Sequence, residues 1–203
     1  HWFQTLSRFL LLVKGVDMPP ILIDFPESFE SERLTIRAPL PGDGVEINAA
    51  IRETFDDLKI WMPWAHEIPT PEASEERIRR ARCDFLSREE LWLLLFLKGT
   101  NTLVGSSGLH RIDWDVPKFE IGYWCRKRFQ GQGYITESTE AISRFAFEVL
   151  GAKRVEIRCD PNNVRSRRIP ERLGFALEAT LRNDARTPSG ELRDTLVYAK
   201  VRL

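Results

Sequence analysis

The stretch Lys118-Phe-Glu-Ile-Gly-Tyr-Trp-Cys-Arg-Lys-Arg-Phe-Gln-Gly-Gln-Gly-Tyr-Ile135 decides how the chain is read. Phe119, Ile121, Tyr123 and Cys125 recur at every second position, the period of a strand. Helical periodicity takes over at Ile135 and runs through Ile142, Phe145, Ala146 and Val149 to Gly151, a natural helix stop. Between the two lies Arg128-Phe-Gln-Gly131-Gln-Gly133, where glycine lets the backbone turn tightly and approach a ligand closely. The N–H groups that open the following helix lack intrahelical acceptors, and the helix dipole adds partial positive charge. Arg126, Lys127 and Arg128 add full charges. Strand, glycine turn and helix N-terminus together form an anion cradle whose natural guest is a diphosphate. The third glycine of a dinucleotide fingerprint is replaced by Thr136, and no phosphate-loop lysine is present.

Composition narrows the function classes. The 203 residues suffice for one domain with a real core, and 42% hydrophobic with 30% charged residues excludes a mainly disordered chain. Basic and acidic residues balance at 30 each, so no global field draws the chain to nucleic acid or to a membrane surface. From Arg126 to Arg172 there are 11 basic and 6 acidic residues, a local excess suited to a small anion rather than a polyanion. Cys83, Cys125 and Cys159 contain no C-x-x-C pair and read as reduced thiols of a cytoplasmic protein. His1, His66 and His110 have no metal-ligand spacing, so no metal is expected. No apolar run approaches ~20 residues, so no membrane span is expected. Residues 1–30 read as an N-terminal extension ahead of a domain at 31–203. Within that extension, residues 1–17 read as upstream or vector-derived sequence before a natural start at Met18.

The rest of the chain alternates strand and helix signals. Arg33–Arg37 reads as a first strand. Asp43 reads as the cap of a helix with Val45, Ile47, Ile51 and Phe55 on one face, broken by Trp61-Met-Pro-Trp64. Ser74 opens a second helix that ends near Arg88. The apolar run Leu91–Lys98 suits a buried strand, and Thr102–His110 returns beside it. After the central helix come a strand at Arg154–Asp160, a helix at Asn163–Leu173 and closing strands at Ala176–Arg182 and Asp194–Val201.

Three ordered motifs resemble the GNAT (GCN5-related N-acetyltransferase) family, in the branch of the Rim-type ribosomal-protein-alanine N-acetyltransferases. Arg128–Gly133 fits that family's loop of Gln or Arg, two residues, Gly, one residue, and Gly or Ala. Glu120-Ile-Gly-Tyr-Trp124 precedes it; Asn163-Val-Arg-Ser166 and Glu171-Arg-Leu-Gly-Phe175 follow it. The resemblance spans Ser31 to Leu203. It implies a mixed α/β (α+β) GNAT fold: a mostly antiparallel twisted sheet of six to seven strands, splayed between the fourth and fifth, flanked by about four helices. It implies acetyl-CoA as cosubstrate. The backbone at Tyr123, Trp124 and Cys125 would bind pantetheine. The diphosphate would lie on the loop from Arg128 through Gln130, Gly131, Gln132, Gly133, Tyr134 and Ile135. Asn163 and Ser166 would sit beside the pantetheine, and a homodimer is the expected assembly.

Acetyl transfer needs a base for the amine, a stabiliser for the oxyanion and a proton for the leaving sulfur. Glu120 is the first candidate base and Asp184, placed in a loop, the second. Ser166 stands where many relatives carry a tyrosine acid. Pro170 cannot donate to the carbonyl of Ser166, so a freed carbonyl and a local kink are expected there. Trp61, Trp64, His66 and Trp114 are candidate acceptor walls. Arg165, Arg167 and Arg168 either meet the 3′-phosphate of coenzyme A or solvate a helix face. The expected acceptor is a protein N-terminal α-amine; the alternatives are a small amine (polyamine, amino sugar or antibiotic) or a non-catalytic acyl-CoA sensor.

Overall fold

Leu91–Leu97 is apolar without alternation because both of its faces are covered. Leu91, Leu93 and Leu95 join the main core cluster, whereas Leu94 and Phe96 join a second cluster on the opposite face. A computed structural model describes residues 18–202, so the reading of residues 1–17 lies outside the described residues. One eight-stranded sheet runs through it. In chain order its strands are β1 (Ser28–Glu30), β2 (Leu34–Arg37), β3 (Leu91–Leu97), β4 (Leu103–Asp113), β5 (Lys118–Cys125), β6 (Arg154–Cys159), β7 (Ala176–Arg186) and β8 (Leu192–Val201). Spatially β8 lies between β6 and β7, and every pairing is antiparallel except β5 with β6.

Among the described residues four α-helices cover the sheet: α1 (Gly44–Trp61), α2 (Pro71–Ser87), α3 (Tyr134–Glu148) and α4 (Val164–Arg172). Helices α1 and α2 bury Ile47, Ile51, Leu58 and Ile78 with Leu94, Phe96, Leu103 and Trp124. Helix α3 buries Ile135, Ile142, Phe145 and Ala146 with Leu93, Leu95, Phe119 and Ile121 on the other face. It is also the crossover that makes β5 and β6 parallel, since parallel neighbours need a connection of this length.

The expected mixed α/β architecture and its four helices are observed, with one strand more than anticipated. The additional strand is β1, which pairs with β2 from inside the segment read as an extension; Phe25, also from that segment, packs edge-on to Phe85 and Phe145. The sheet therefore begins before Ser31. Two helix starts also differ. The Asp43 carboxylate makes no cap bond; it pairs with Arg37 at 2.7 Å and accepts from Leu40 N. The second helix opens at Pro71 rather than Ser74, with Thr70 Oγ1 accepting from Ala73 N, because proline at the first helical position gives up no needed donor.

The inner strands leave no room for added atoms. A Cβ on Gly105 would stand 2.3 Å from Trp124 O. Gly105→Ala should therefore destabilise the fold by about 1–3 kcal/mol, read as a lowered thermal midpoint. At Gly151 a Cβ meets nothing within 4 Å, so only the left-handed φ of 73° opposes Gly151→Ala, which should lose less.

Candidate active site

The site is a fork in the sheet. Strands β5 and β6 pair only at Lys118, Phe119 and Glu120 with Arg154, Val155 and Glu156. Beyond Glu120 they separate, because each stays tied to its other neighbour. Strand β5 follows β4 to Cys125 opposite Gly105, and β6 follows β8 to Cys159 opposite Leu196. This is the splay expected between the strands at Glu120–Cys125 and Arg154–Asp160. It leaves the backbone edge at Tyr123–Cys125 without a β6 partner, open to an extended ligand.

The glycine loop lies at the mouth of the fork. Gly131 and Gly133 have φ of 76° and 84°, the left-handed region that favours glycine. Among the described residues, the backbone N–H groups of residues 131–136 find no acceptor. Gly133 caps α3 without any side-chain bond, so the helix N-terminus stays uncovered. The N–H of Gln130 is used, donating to Lys127 O, and its side chain links Asp57 to Arg165. The free cradle thus starts at Gly131 and takes in Gln132, Gly133, Tyr134 and Ile135.

Two of the three basic residues before the loop are not free charges, contrary to the sequence reading. Arg126 is buried and pairs with Glu53 at 2.8 Å and Glu46 at 3.2 Å. Arg128 also pairs with Glu53, which accepts from its side chain and its N–H. These bonds from Arg128 and Arg126 outweigh burial and hold the Glu53 carboxyl at about 2, well below the usual carboxylate range. The loop is braced on its other side by Arg33. Arg33 binds Glu137 at 2.6 Å, donates to Gln132 O at 3.1 Å and lies 4.2 Å over the Tyr134 ring. Burial works against charge on Glu137, but bonds from Ser31 and Arg33 keep its carboxyl below the ordinary range.

On the α1/α2 face a cleft of about 940 Å³ reaches the β5 edge. Trp64, Arg77, Trp92, His110, Tyr123 and Trp124 are among its walls. Trp64 and Trp124 lie 6.4 Å apart, and the Arg77 guanidinium stands over Trp64 and Trp92. Of the four expected acceptor walls, only Trp64 lines this cleft. Trp61 ends α1 outside its lining and His66 is exposed. Trp114 packs on Phe119 in the main core and donates to Arg88 O. Trp92, Ser106 and His110 were missed. The signal lay in strand parity, which for Trp92 the unbroken apolar run of β3 conceals.

Glu120 is the register partner of His110 and so shares its face. Burial raises its carboxyl, while Arg111 at 3.2 Å and Arg158 at 3.6 Å oppose the shift. Buried Glu120 Oε2 has no hydrogen-bond partner among the described residues. Asp184 is not in a loop. It stands exposed in β7, where the pairing with β8 shifts register between Leu181 and Ala185. Asn163 Oδ1 accepts from Ser166 N, the expected cap. Burial pushes the Cys125 thiol up to about 12, so it stays protonated. Arg165 binds Gln130, Arg167 binds Glu171 at 3.2 Å, and Arg168 is exposed.

A family model described as the acetyltransferase (GNAT) domain matches residues 33–176. The chain belongs to the GNAT acetyltransferase family. As a member it is an acetyl-CoA-dependent N-acetyltransferase. It is similar to YdaF of Bacillus subtilis (strain 168), named as a candidate ribosomal N-acetyltransferase: 33% identity over 83% of this chain and 91% of the relative. It also resembles the ribosomal-protein-serine acetyltransferase of Escherichia coli (strain K12), at 26% identity over 70% of this chain and 80% of the relative. Among solved structures, the microcin C7 self-immunity acetyltransferase MccE, in complex with acetyl-CoA and AMP, superposes with a TM-score of 0.80. Its identity is 25%, over 88% of this chain and 98% of that one. The GNAT loop fits a diphosphate on its own evidence, since it offers uncommitted amides and at Gly131 a Cβ would meet nothing within 4 Å.

Glu53 has a consequence for acid stability. Its folded pKa of about 2 lies below the ordinary carboxylate value of 4.5, so its contribution is complete above 4.5 and is lost as pH falls toward 2. Glu53→Gln should lower the thermal midpoint at pH 7, and the gap to the native protein should narrow across that acid range.

Proposed function

We propose that this enzyme acetylates the α-amine of a protein N-terminus. The observation that carries the reading is the junction of two openings at one strand edge: the fork with its free amides on one side and the aromatic cleft on the other meet at Tyr123–Trp124. The names of the relatives from Bacillus subtilis and Escherichia coli support a ribosomal-protein acceptor.

In this reading the amides of residues 131–136 hold the diphosphate, and the β5 edge at Tyr123–Cys125 holds the pantetheine and polarises the acyl carbonyl. Asn163 and Ser166 flank the sulfur. Acetyl-CoA supplies the activated acyl group; the protein aligns the amine, excludes water and moves protons. Glu120 receives the amine proton, its carboxyl raised above the ordinary carboxylate range by burial, against the pull of Arg111 and Arg158. An α-amine with a pKa of about 7.8 is roughly one-third neutral at pH 7.5, against about 0.1% for a lysine side chain, so a modest base serves. Asp184, exposed on β7, is the weaker candidate. Free Cys83, Cys125 and Cys159 suit a reducing compartment such as the cytoplasm. A small-molecule amine is the second reading, favoured by the likeness to MccE and by the tilted tryptophan pair in the wall of the cleft.

Acetyl-CoA at ~100 times its dissociation constant should raise the thermal midpoint by about 5–10 °C, whereas NAD and ATP should not. Mass spectrometry should then show one added acetyl group on the α-amine of Ser- or Ala-initiated peptides and none on their lysines. Glu120→Gln should lower kcat about 10²-fold and flatten the rise of rate with pH. Acetylation of polyamines or amino sugars in place of the peptides would overturn the acceptor assignment.

A further inference from the structure

Helix α4 carries Pro170, which has no N–H for the carbonyl of Ser166 one turn earlier. A helical carbonyl deprived of its donor needs another. The donor comes from a different element. The Tyr123 hydroxyl, reaching over from β5, donates to Ser166 O at 3.1 Å. Ser166 Oγ in turn donates to the same Tyr123 hydroxyl at 3.3 Å. Tyr123 lies beyond Glu120, the last β5 residue paired with β6, so this pair of bonds is thrown across the fork. The proline, the serine and the tyrosine form one device: proline empties the carbonyl, tyrosine fills it, and the serine hydroxyl is thereby drawn to the tyrosine oxygen.

The leaving sulfur needs a proton. No tyrosine lies between Tyr134 and Tyr198, so α4 has none. A serine hydroxyl alone is a poor acid. Resting on the acetyl-transfer reading above, we propose that Tyr123 is a positioning residue that aims Ser166 and refills its proton, making a two-hydroxyl relay to the departing sulfur. As the amine nitrogen bonds to the acyl carbon, the carbon–sulfur bond breaks and its electron pair stays on sulfur. Sulfur takes the proton of Ser166 Oγ. Rotation of the tyrosine O–H from the Ser166 carbonyl to Oγ replaces that proton, and solvent restores the tyrosine. The proton shed by the amine leaves through Glu120, so one proton is released and one consumed. Burial keeps the Tyr123 hydroxyl protonated well above the ordinary tyrosine range, although the bond to Ser166 pulls the other way.

The test compares the native enzyme with Tyr123→Phe, which removes only the oxygen, with Ser166→Ala, and with the double variant. Calorimetry with coenzyme A and with desulfo-coenzyme A reads the contact with sulfur without any acceptor. The native enzyme should prefer coenzyme A by about fivefold, and each variant should lose that preference while holding desulfo-coenzyme A as before. In acetyl transfer to an N-terminal peptide, Tyr123→Phe should lower kcat about 10²-fold with the KM for acetyl-CoA unchanged. An acetyl thioester of a more acidic thiol should recover much of that loss, and the double variant should be no worse than Ser166→Ala. An unchanged preference for coenzyme A in Tyr123→Phe, or equal loss of both ligands, overturns the relay and leaves a purely structural tyrosine. If the native enzyme binds acetyl-CoA but acetylates no peptide, the acceptor reading fails, and the two-ligand comparison still decides the relay.

Discussion

The parallel ladder between β5 and β6 is cut short, and the rest of the molecule is arranged around that interruption. A strand can serve two neighbours, one on each edge. Strand β5 is held by β4 along its length and β6 by β8, so their shared edge pairs only where the sheet twist still brings them together. Arg126 continues the divergence. Its backbone bonds Val104 O, and its buried side chain is taken by Glu46 and Glu53 of α1, drawing the end of β5 toward that helix and away from β6. The freed edge leaves main-chain groups of β5 beyond Glu120 open to a ligand.

The electrostatics of the loop follow from the same anchorage. The run Arg126-Lys-Arg128 suggests a cationic anion site, yet Glu53 satisfies both arginines. What the loop leaves uncommitted is mainly backbone: the amides of residues 131–136 and the uncapped start of α3. Fixed dipoles need no rearrangement on binding, whereas flexible side chains lose entropy. Glu137, in the first turn of α3, favours the helix dipole but would repel an anion. Arg33 and Ser31 answer that charge from β2 and its approach, and so tie the loop to the far edge of the sheet. Glu53 and Arg33 brace the loop from opposite sides, one through its arginines and the other through Gln132 O and the Tyr134 ring.

Much of the fold was legible because periodicity reports burial directly. The alternation of β5, the period of α3, Asn163 as a cap and the glycines at 131 and 133 all carry local signals that the tertiary structure keeps. Errors arose where a local signal had a competing partner. Asp43 is a good cap type, but the Arg37 guanidinium claimed its carboxylate. Ser74 looked like a helix start, but Thr70-Pro71 already supplied one, and Ser74 became a buried partner for Asn48 instead. Aromatic residues in a proline-rich loop gave no hint of direction. Trp64 turned into the cleft, while Trp114, on the β4–β5 turn, went to the core.

By itself the sequence determined the order of elements, the glycine loop, the family and the residue types at the fork, because each is written in spacing along the chain. Only the tertiary structure decided which charges are spent internally, which tryptophans face the cleft, and that Tyr123 of β5 bonds Ser166 of α4. Those depend on distances between residues far apart in sequence, such as Glu53 with Arg128 and Tyr123 with Ser166. A missing N–H at Pro170 can be read from one residue; the hydroxyl that answers it becomes visible only when the chain has folded back across its own sheet.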